Sequence, residues 1–304
     1  MNLLSKVPLK KLLILIIVTV LVFFVIFRTT VDAKSFLETA KSANIKFLWY
    51  ALIAILPTFI LSPLRWFYVL KAYDYNPKFK SIFYAVNAAN TFILIPGRLG
   101  DFVKSYFTKD TVPVAESVGS VIVEKIIDVV VLLLIATVGL FILKQPIYAL
   151  CALVVACALP IGIIFIKKIG LRFGLDKIGL VKKVADAVRI PNHPKYIIAS
   201  GIASTANWMN SVISTYFLFL AFQTITPLSA VVAYLPLTLF IGLIPITIAG
   251  IGVRDSAILA LFSKYATSTQ SLAVGICYSF LGYFLFMLVG IPLVIKHFHS
   301  KNST

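Results

Sequence analysis

The stretch ILIPGRLGDFVKSYF, residues 93–107, begins as apolar sequence suited to a membrane and then breaks. A Pro-Gly pair interrupts it, and three charged residues follow at three-residue spacing: Arg98, Asp101 and Lys104. Residues spaced in this way lie close together on one helical face. The stretch therefore combines a helix break with a charged face, and the composition of the whole chain indicates which solvent surrounds those charges.

The composition is that of an integral membrane protein. Of the 304 residues, 60% are hydrophobic and only 13% are charged, and the mean hydropathy is +1.00. A soluble domain carries about 25% charged residues and cannot bury this much apolar surface. The chain is therefore predicted to be an all-α polytopic membrane protein that forms one domain over residues 1–304.

Six apolar runs approach the roughly 20 residues that cross a bilayer, and each is predicted to be a transmembrane helix. The first run follows three lysines and resembles a signal peptide. It is longer than most signal-peptide cores and further apolar runs follow it, so it is interpreted as an uncleaved span. The predicted spans cover about 10–27, 46–70, 118–143, 146–166, 195–221 and 268–295.

Two further apolar stretches, 81–107 and 229–262, are each broken in the middle by proline and glycine and then acquire charge. Irregular backbone at membrane depth is tolerated only where protein buries it or where it lines a water-filled cavity. Both stretches are therefore predicted to be re-entrant helical hairpins.

The order of broken helix, charged turn, short loop and long span occurs twice along the chain. The offset is about 154 residues, so that Asp101 corresponds to Asp255. This pattern predicts an inverted repeat with halves at about 46–143 and 195–295. In secondary transporters, such repeats place the substrate site near the middle of the membrane.

The lysines and arginines are distributed unequally between the two predicted sides. Nineteen of the 28 lie on the side of the chain termini and seven on the opposite side. The positive-inside rule places both termini on the cytoplasmic side of a cell membrane. The same bias explains the net charge of +17 without a nucleic-acid partner. Residues 167–194, the longest hydrophilic segment, are either a basic amphipathic helix on the inner leaflet or a solvated connector.

The charges after the first break have two interpretations. A helix that begins after Pro96-Gly97 would form an anion site from its first N–H groups together with Arg98, and lipid phosphate is the obvious anion. Alternatively, Asp101 neutralises Arg98 or Lys104 at the membrane edge. A charge inside the bilayer is a functional candidate, which favours the first interpretation. Asn90 adds a polar group ahead of the break.

Two acidic residues, Glu124 and Asp128, lie at i and i+4 in the third span. Two carboxylates on one helical face are costly against lipid. We expect them to pair across the helix bundle with Arg98, Lys104 or Arg65. The alternative is that both are solvated at headgroup depth.

In the second broken stretch, Arg254 and Asp255 follow two glycines, Gly250 and Gly252, that permit a tight turn or a close helix crossing. These charges are predicted to mirror those of the first hairpin. The three cysteines and three histidines show no metal-binding spacing, so neither a metal nor a cofactor is expected.

Three short motifs occur in order: N-x5-P-G-R-x-G-D-x2-K (Asn90 to Lys104), E-K-x2-D (Glu124 to Asp128) and G-x-G-V-R-D (Gly250 to Asp255). Together they resemble the lysylphosphatidylglycerol synthase transmembrane-region family, also described as flippase-like, over residues of about 12 to 295. In that family the first motif usually ends in Glu and Arg, and the second usually begins Glu-Arg. Three residues of this chain depart from that pattern but keep the sign of the charge: Asp101, Lys104 and Lys125. Where lysine replaces arginine, the bidentate contacts of arginine with phosphate are lost.

The resemblance implies a membrane domain that moves lipids between leaflets and that is not an enzyme. The soluble aminoacyl-transferase domain of multidomain relatives is not expected here, since no soluble stretch exceeds about 30 residues. The leading hypothesis is a flippase or scramblase-like translocase for an anionic phospholipid or a polyprenyl-phosphate lipid. Expected partners are membrane lipids, with a second copy or a separate lipid-modifying enzyme as further partners. The alternatives are a membrane-embedded glycosyltransferase or polyprenyl-lipid enzyme, and a transporter of small organic anions.

In this hypothesis the cations hold the phosphate, and the carboxylates balance or release it. The predicted substrate-binding residues are Arg98, Asp101, Lys104, Glu124, Asp128, Arg254, Asp255, Asn90 and Arg65.

Overall fold

The computed structural model describes residues 33–95, 100–169, 191–243 and 250–302, together with residues 17, 21 and 247. This part of the chain is helical and contains no strand. A 3₁₀ turn, Asn90–Phe92, follows the helix Phe79–Ala89, and a π-helical segment, Phe280–Phe284, joins the helix Ser268–Ser279 to the helix Leu285–Asn302. The helices are α1 (Ala33–Lys41), α2 (Ile45–Ile55), α3 (Thr58–Ala72), α4 (Phe79–Ala89), α5 (Lys104–Phe107), α6 (Val114–Ile142), α7 (Pro146–Ile169), α8 (Pro194–Ala221), α9 (Leu228–Ile241), α10 (Val253–Leu261), α11 (Ser268–Ser279) and α12 (Leu285–Asn302).

Local sequence explains where several helices start and stop. Prolines lie at or just before the starts of α6, α7, α8 and α9, where a missing N–H costs nothing. Three helices are followed, two positions after their last residue, by a residue other than glycine in the left-handed conformation: Asp74 (φ 66°), Lys144 (φ 58°) and Gln223 (φ 55°). These three ends are less visible in the sequence because glycine is the usual residue there.

Within the described residues, three helical runs are long and apolar enough to cross a membrane: Ile45–Ala72, Val114–Ile142 and Ser268–Lys296. They match three of the six predicted spans. The predicted spans 146–166 and 195–221 correspond to α7 and α8, and the span 10–27 lies almost entirely outside the described residues. Large apolar side chains face outward, as expected for a protein surrounded by lipid: Ile147 is 74% exposed and Ile202 is 67% exposed.

The centre of the bundle is built from α6 and α8. Helix α6 packs against α3, α7, α8 and α9, and α8 also packs against α2 and α3. At the crossing of α6 and α9, a Cβ on Gly139 would overlap the backbone of Ala233. The glycine therefore allows the two helices to approach closely.

Neither broken stretch forms one continuous helix over its described residues. In 81–107, α4 and the 3₁₀ turn end before the break, and α5 starts at Lys104; in 229–262, α9 ends at Ile241 and α10 starts at Val253. In each of the two stretches, a glycine packs directly against an earlier residue of the same stretch. A Cβ on Gly100 would overlap the carbonyl oxygen of Phe92, and one on Gly250 (φ 74°) would lie 2.6 Å from the carbonyl oxygen of Gly242. That both stretches are re-entrant and form an inverted repeat stays a prediction.

The basic segment 167–194 is described only at its two ends. Residues 167–169 complete α7, and residues 191–193 lead into α8. The two interpretations of this segment concern residues 170–190, which lie outside the described part of the chain.

Candidate functional site

Arg65 on α3 bonds to both carboxylates of α6. Its Nε donates to Glu124 Oε1 at 2.8 Å and its Nη1 donates to Asp128 Oδ1 at 2.8 Å. Because Glu124 and Asp128 are four residues apart, they share the helical face that points at α3. All three residues are buried, with at most 5% of their surface exposed. The expected pairing of these carboxylates across the bundle is confirmed for Arg65.

Two lysines complete the charge balance. Lys104 on α5 donates from Nζ to Glu124 Oε2, and its ammonium lies 4.7 Å from the centre of the Trp66 ring. Lys125 Nζ lies 2.9 Å from Asp101 Oδ2. The expected pairing of Glu124 with Lys104 is therefore also confirmed. We call these six residues the charge cluster: Arg65, Asp101, Lys104, Glu124, Lys125 and Asp128.

Helix α8 supports the charge cluster with uncharged donors. Ser204 Oγ donates to Asp128 Oδ1 at 2.7 Å, and Trp208 Nε1 donates to the same oxygen at 3.2 Å. Ser200 Oγ donates to the carbonyl of Arg65 at 3.0 Å. Asp128 Oδ1 therefore accepts three hydrogen bonds, whereas Oδ2 accepts none from the described residues.

A cavity of about 390 Å³ lies against the charge cluster. Four of the predicted substrate-binding residues line it: Arg65, Asn90, Asp101 and Asp128. Lys125, from the same cluster, lines it as well, and aromatic side chains cover other parts of the wall. The cavity is large enough for a small polar headgroup.

Two polar atoms on residues of the cavity wall have no hydrogen-bond partner within the described part of the chain. They are Thr58 Oγ1 and Asn207 Oδ1, both buried. An unpaired buried polar atom costs about 1–3 kcal/mol, so a ligand or water that bonds to it recovers free energy. Because both atoms are buried, they do not face the cavity in the conformation described and indicate no contact with its occupant.

Arg254 and Asp255 form a second buried pair behind the cavity wall. Each is 1% exposed, and the Nη2 of Arg254 donates to Asp255 Oδ1 at 2.6 Å. The same guanidinium donates to Ser279 Oγ at 2.6 Å and to the hydroxyl of Tyr283 at 3.2 Å. Asp255 Oδ2 accepts from the N–H of Gly252 at 2.9 Å, which caps α10. We interpret this pair as the support of the α10 turn.

The predicted charged face of the first break is divided in the structure. Asp101 lies in a 3₁₀ turn and lines the cavity, whereas Lys104 is 4% exposed and bonds to Glu124 behind the wall. Arg98 lies outside the described residues. Neither Glu124 nor the pair Arg254 and Asp255 lines the cavity. In the conformation described, these four buried residues, Lys104 included, do not line this cavity, and their contact with a substrate stays a prediction.

The sequence interpretation missed the serines of α8, which form a polar face together with Asn207. Ser200, Ser204, Asn207 and Ser211 are all buried and recur at spacings of three or four. That periodicity in an apolar span is a signal of a polar helical face. Tyr283, which reaches the cavity from the π-helical segment, carried no comparable signal.

A family model described as "Lysylphosphatidylglycerol synthase TM region" matches residues 11–290. The match covers most of the chain, so the chain belongs to this family, and the resemblance noted in its motifs is confirmed. No curated protein matches the chain.

Proposed function

We propose that this member of the lysylphosphatidylglycerol synthase TM-region family is a lipid translocase. The headgroup passes through the 390 Å³ cavity while the acyl chains stay in the surrounding membrane. Family membership supports a function connected with membrane lipids. The cation of the wall that suits a phosphate best is Arg65, because its planar fork matches phosphate oxygens in pairs.

One observation carries this proposal: a charged cavity is enclosed by helices whose outer surfaces are apolar. Arg65, Lys125, Asp101 and Asp128 converge on one space inside the bundle. Charged residues inside a membrane protein are expensive, and they typically mark the path of a polar substrate. A purely structural role would not require a cavity beside them.

Both broken stretches contribute to the cavity wall. Asn90 and Ile93 come from the first stretch, and Leu239 and Leu243 come from the second. If the two stretches are re-entrant hairpins entering from opposite faces, the cavity lies near the middle of the membrane, as in transporters with inverted repeats. A headgroup held there has access to either leaflet after a modest rearrangement.

The test is lipid movement in vesicles of purified protein. Phosphatidylcholine vesicles receive a trace of phosphatidylglycerol with a fluorescent label on its acyl chain, and an impermeant quencher reports the label that remains outside. Arg65→Ala should abolish protein-dependent movement, because the phosphate site is lost and two buried carboxylates lose their shared partner. Arg65→Lys should retain a fraction of the rate, since the charge remains and the fork does not.

The matched control is Lys264→Ala, which removes an exposed cation after α10. It should move lipid at the unmodified rate. If folded and inserted Arg65→Ala protein moves lipid as fast as this control, the proposal is wrong. Uptake of radiolabelled glycerol phosphate in the same vesicles distinguishes a transporter of small anions, which would use the same charges.

A further inference from the structure

The charge cluster is balanced before any ligand arrives. Among the described residues it holds three cations and three carboxylates, joined in the pairs Arg65–Glu124, Arg65–Asp128, Lys104–Glu124 and Lys125–Asp101. No cation of this set is left over for a ligand. A phosphate that binds Arg65 therefore adds a negative charge that these six residues do not balance, and it competes with the carboxylates for the guanidinium; Arg98 lies outside the described residues.

The carboxylate best placed to lose its donor is Asp128. It lines the cavity together with Arg65, whereas Glu124 is fully buried and keeps Lys104 as a second partner. When a phosphate takes the Nη1 donor of Arg65, Asp128 has no cation left within hydrogen-bond distance. A buried carboxylate without a cationic partner binds a proton rather than stay charged.

The two carboxylate oxygens of Asp128 differ in their hydrogen bonding. Ser204 and Trp208 both donate to Oδ1, and a protonated carboxyl group keeps that oxygen as an acceptor. Oδ2 accepts no bond from the described residues, so it can take the proton without breaking any of them. The new O–H group would then donate to the phosphate oxygen that displaced Asp128 from Arg65.

Other titratable or charged groups also surround Asp128, and none replaces the lost guanidinium. Glu124 and Asp101 are themselves anionic and paired. The two tyrosines of the cavity wall carry no cationic group. The groups that face this part of the cavity are Glu124 and Lys125 on α6, Arg65 on α3, Lys104 on α5, Asp101 before α5, and Tyr278 and Tyr283 on α11 and the π-helical segment.

We infer that the cavity carries an anionic lipid together with one proton, which binds Asp128 Oδ2 when the phosphate binds Arg65. This inference rests on the proposed function. The proton comes from water on the side of entry, forms the Oδ2–H bond, and returns to water on the other side when Arg65 again bonds to Asp128. One negative charge and one proton cross together, so the movement is electroneutral.

The inference gives a quantitative expectation for unmodified protein. In the vesicles described above, a pH difference of one unit should change the ratio of labelled phosphatidylglycerol between the leaflets by about tenfold, with accumulation on the alkaline side. A potassium diffusion potential with valinomycin, at equal pH, should leave the ratio at its resting value. Labelled phosphatidylethanolamine, which carries its own cation, should not respond to the pH difference.

Variants of Asp128 test the residue itself. In Asp128→Asn the proton carrier is gone, and the accumulation ratio under the pH gradient should fall from about tenfold to about one. Asp128→Glu should restore accumulation because it keeps a carboxyl group. Glu38→Gln, which neutralises an exposed carboxylate on α1, is the matched control and should accumulate lipid fully.

Three outcomes would overturn the inference. Accumulation that follows voltage but not pH shows that the anion moves without a proton, and the proposed function survives. Full accumulation by Asp128→Asn shows that the proton binds elsewhere. A complete absence of protein-dependent lipid movement overturns the proposed function and this inference with it. The pH and voltage arms use unmodified protein, so they decide the matter even if a variant fails to insert.

Discussion

At the scale of single residues, Arg65 shows why the type of cation matters at this site. Its guanidinium donates to two carboxylates and, at 3.4 Å, to the hydroxyl of Ser62. A lysine ammonium has three N–H donors instead of five, and as a point charge it cannot hold two fixed carboxylates through a planar fork. Lys104, which binds a single carboxylate, does not need the fork. The substitution of arginine by lysine therefore carries different costs at different positions of one cluster.

Asp74 makes a separate polar contact outside the membrane-spanning helices. Its carboxylate accepts from the amide of Asn192 and, at 2.7 Å, from His193 Nε2, and the N–H groups of both residues donate to the carbonyl of Ala72 at the end of α3. The hydrogen bond from Asn192, followed by the contact with His193, lowers the pKa of Asp74. The contact ties the start of α8 to the end of α3.

The lowered pKa predicts a pH dependence of stability. Because the pKa of Asp74 is lower in the folded than in the unfolded protein, its contribution is complete above about pH 4 and is lost as the pH falls through the folded value. Asp74→Asn keeps a residue that tolerates the left-handed conformation. Its Tm should be below that of the unmodified protein near neutral pH, and the difference should disappear in strong acid. A difference that does not change with pH would contradict this assignment.

At the scale of elements, α6 presents different faces to different neighbours. One face carries the two carboxylates toward α3 and α8, and Gly139 lies at the crossing with α9. The π-helical segment Phe280–Phe284 is another element that contributes to the cavity. It places Gly282 and Tyr283 in the cavity wall, and π-helical turns occur frequently at functional sites.

The close approach of α6 and α9 predicts a large effect of a single methyl group. Gly139→Ala should force the two helices apart, because the Cβ would overlap the backbone of Ala233, and overpacking costs about 1–3 kcal/mol. Thermal unfolding in detergent should show a clear decrease in Tm. Gly201→Ala on α8 is the matched control: nothing lies within 4 Å of its Cβ, and alanine favours the helix. Equal Tm values for the two variants would show that the crossing is looser than described.

At the scale of the whole molecule, the bundle places polar groups inward and apolar groups outward. The charge cluster and the polar face of α8 lie inside, while large apolar side chains of α7 and α8, such as Ile161 and Ile198, are exposed. The family and the apolar helices indicate a multi-pass membrane protein. Its orientation in the membrane remains the prediction made from the distribution of lysine and arginine.

That distribution predicts that both termini and residues 167–194 are cytoplasmic and that Lys144 is outside. Single cysteines at positions 144 and 80, both exposed lysines, test this in a background without the three native cysteines. An impermeant maleimide should label position 144 on intact cells and position 80 only after permeabilisation. Labelling of both from the same side would refute the topology and, with it, the opposite entry of the two hairpins.

Local properties of the sequence determined the class of protein and most helix positions. Hydropathy and helical length follow from short stretches of chain, so five of the six predicted spans have a helical counterpart in the described residues. Both broken stretches were visible as prolines and glycines that interrupt apolar sequence. The presence of carboxylates in a membrane helix also indicated cationic partners, because the bilayer leaves few alternatives. The sequence therefore identified which residues needed a partner.

Only the tertiary structure decided which partner each residue found and which residues reach the cavity. Arg65 and Glu124 are 59 positions apart, and their contact depends on how α3 packs against α6. Asp101 and Lys104 are three positions apart, yet one lines the cavity and the other bonds behind its wall. The direction and depth of a side chain are set by helix packing over the whole bundle, and the pattern along one helix contains no record of that packing.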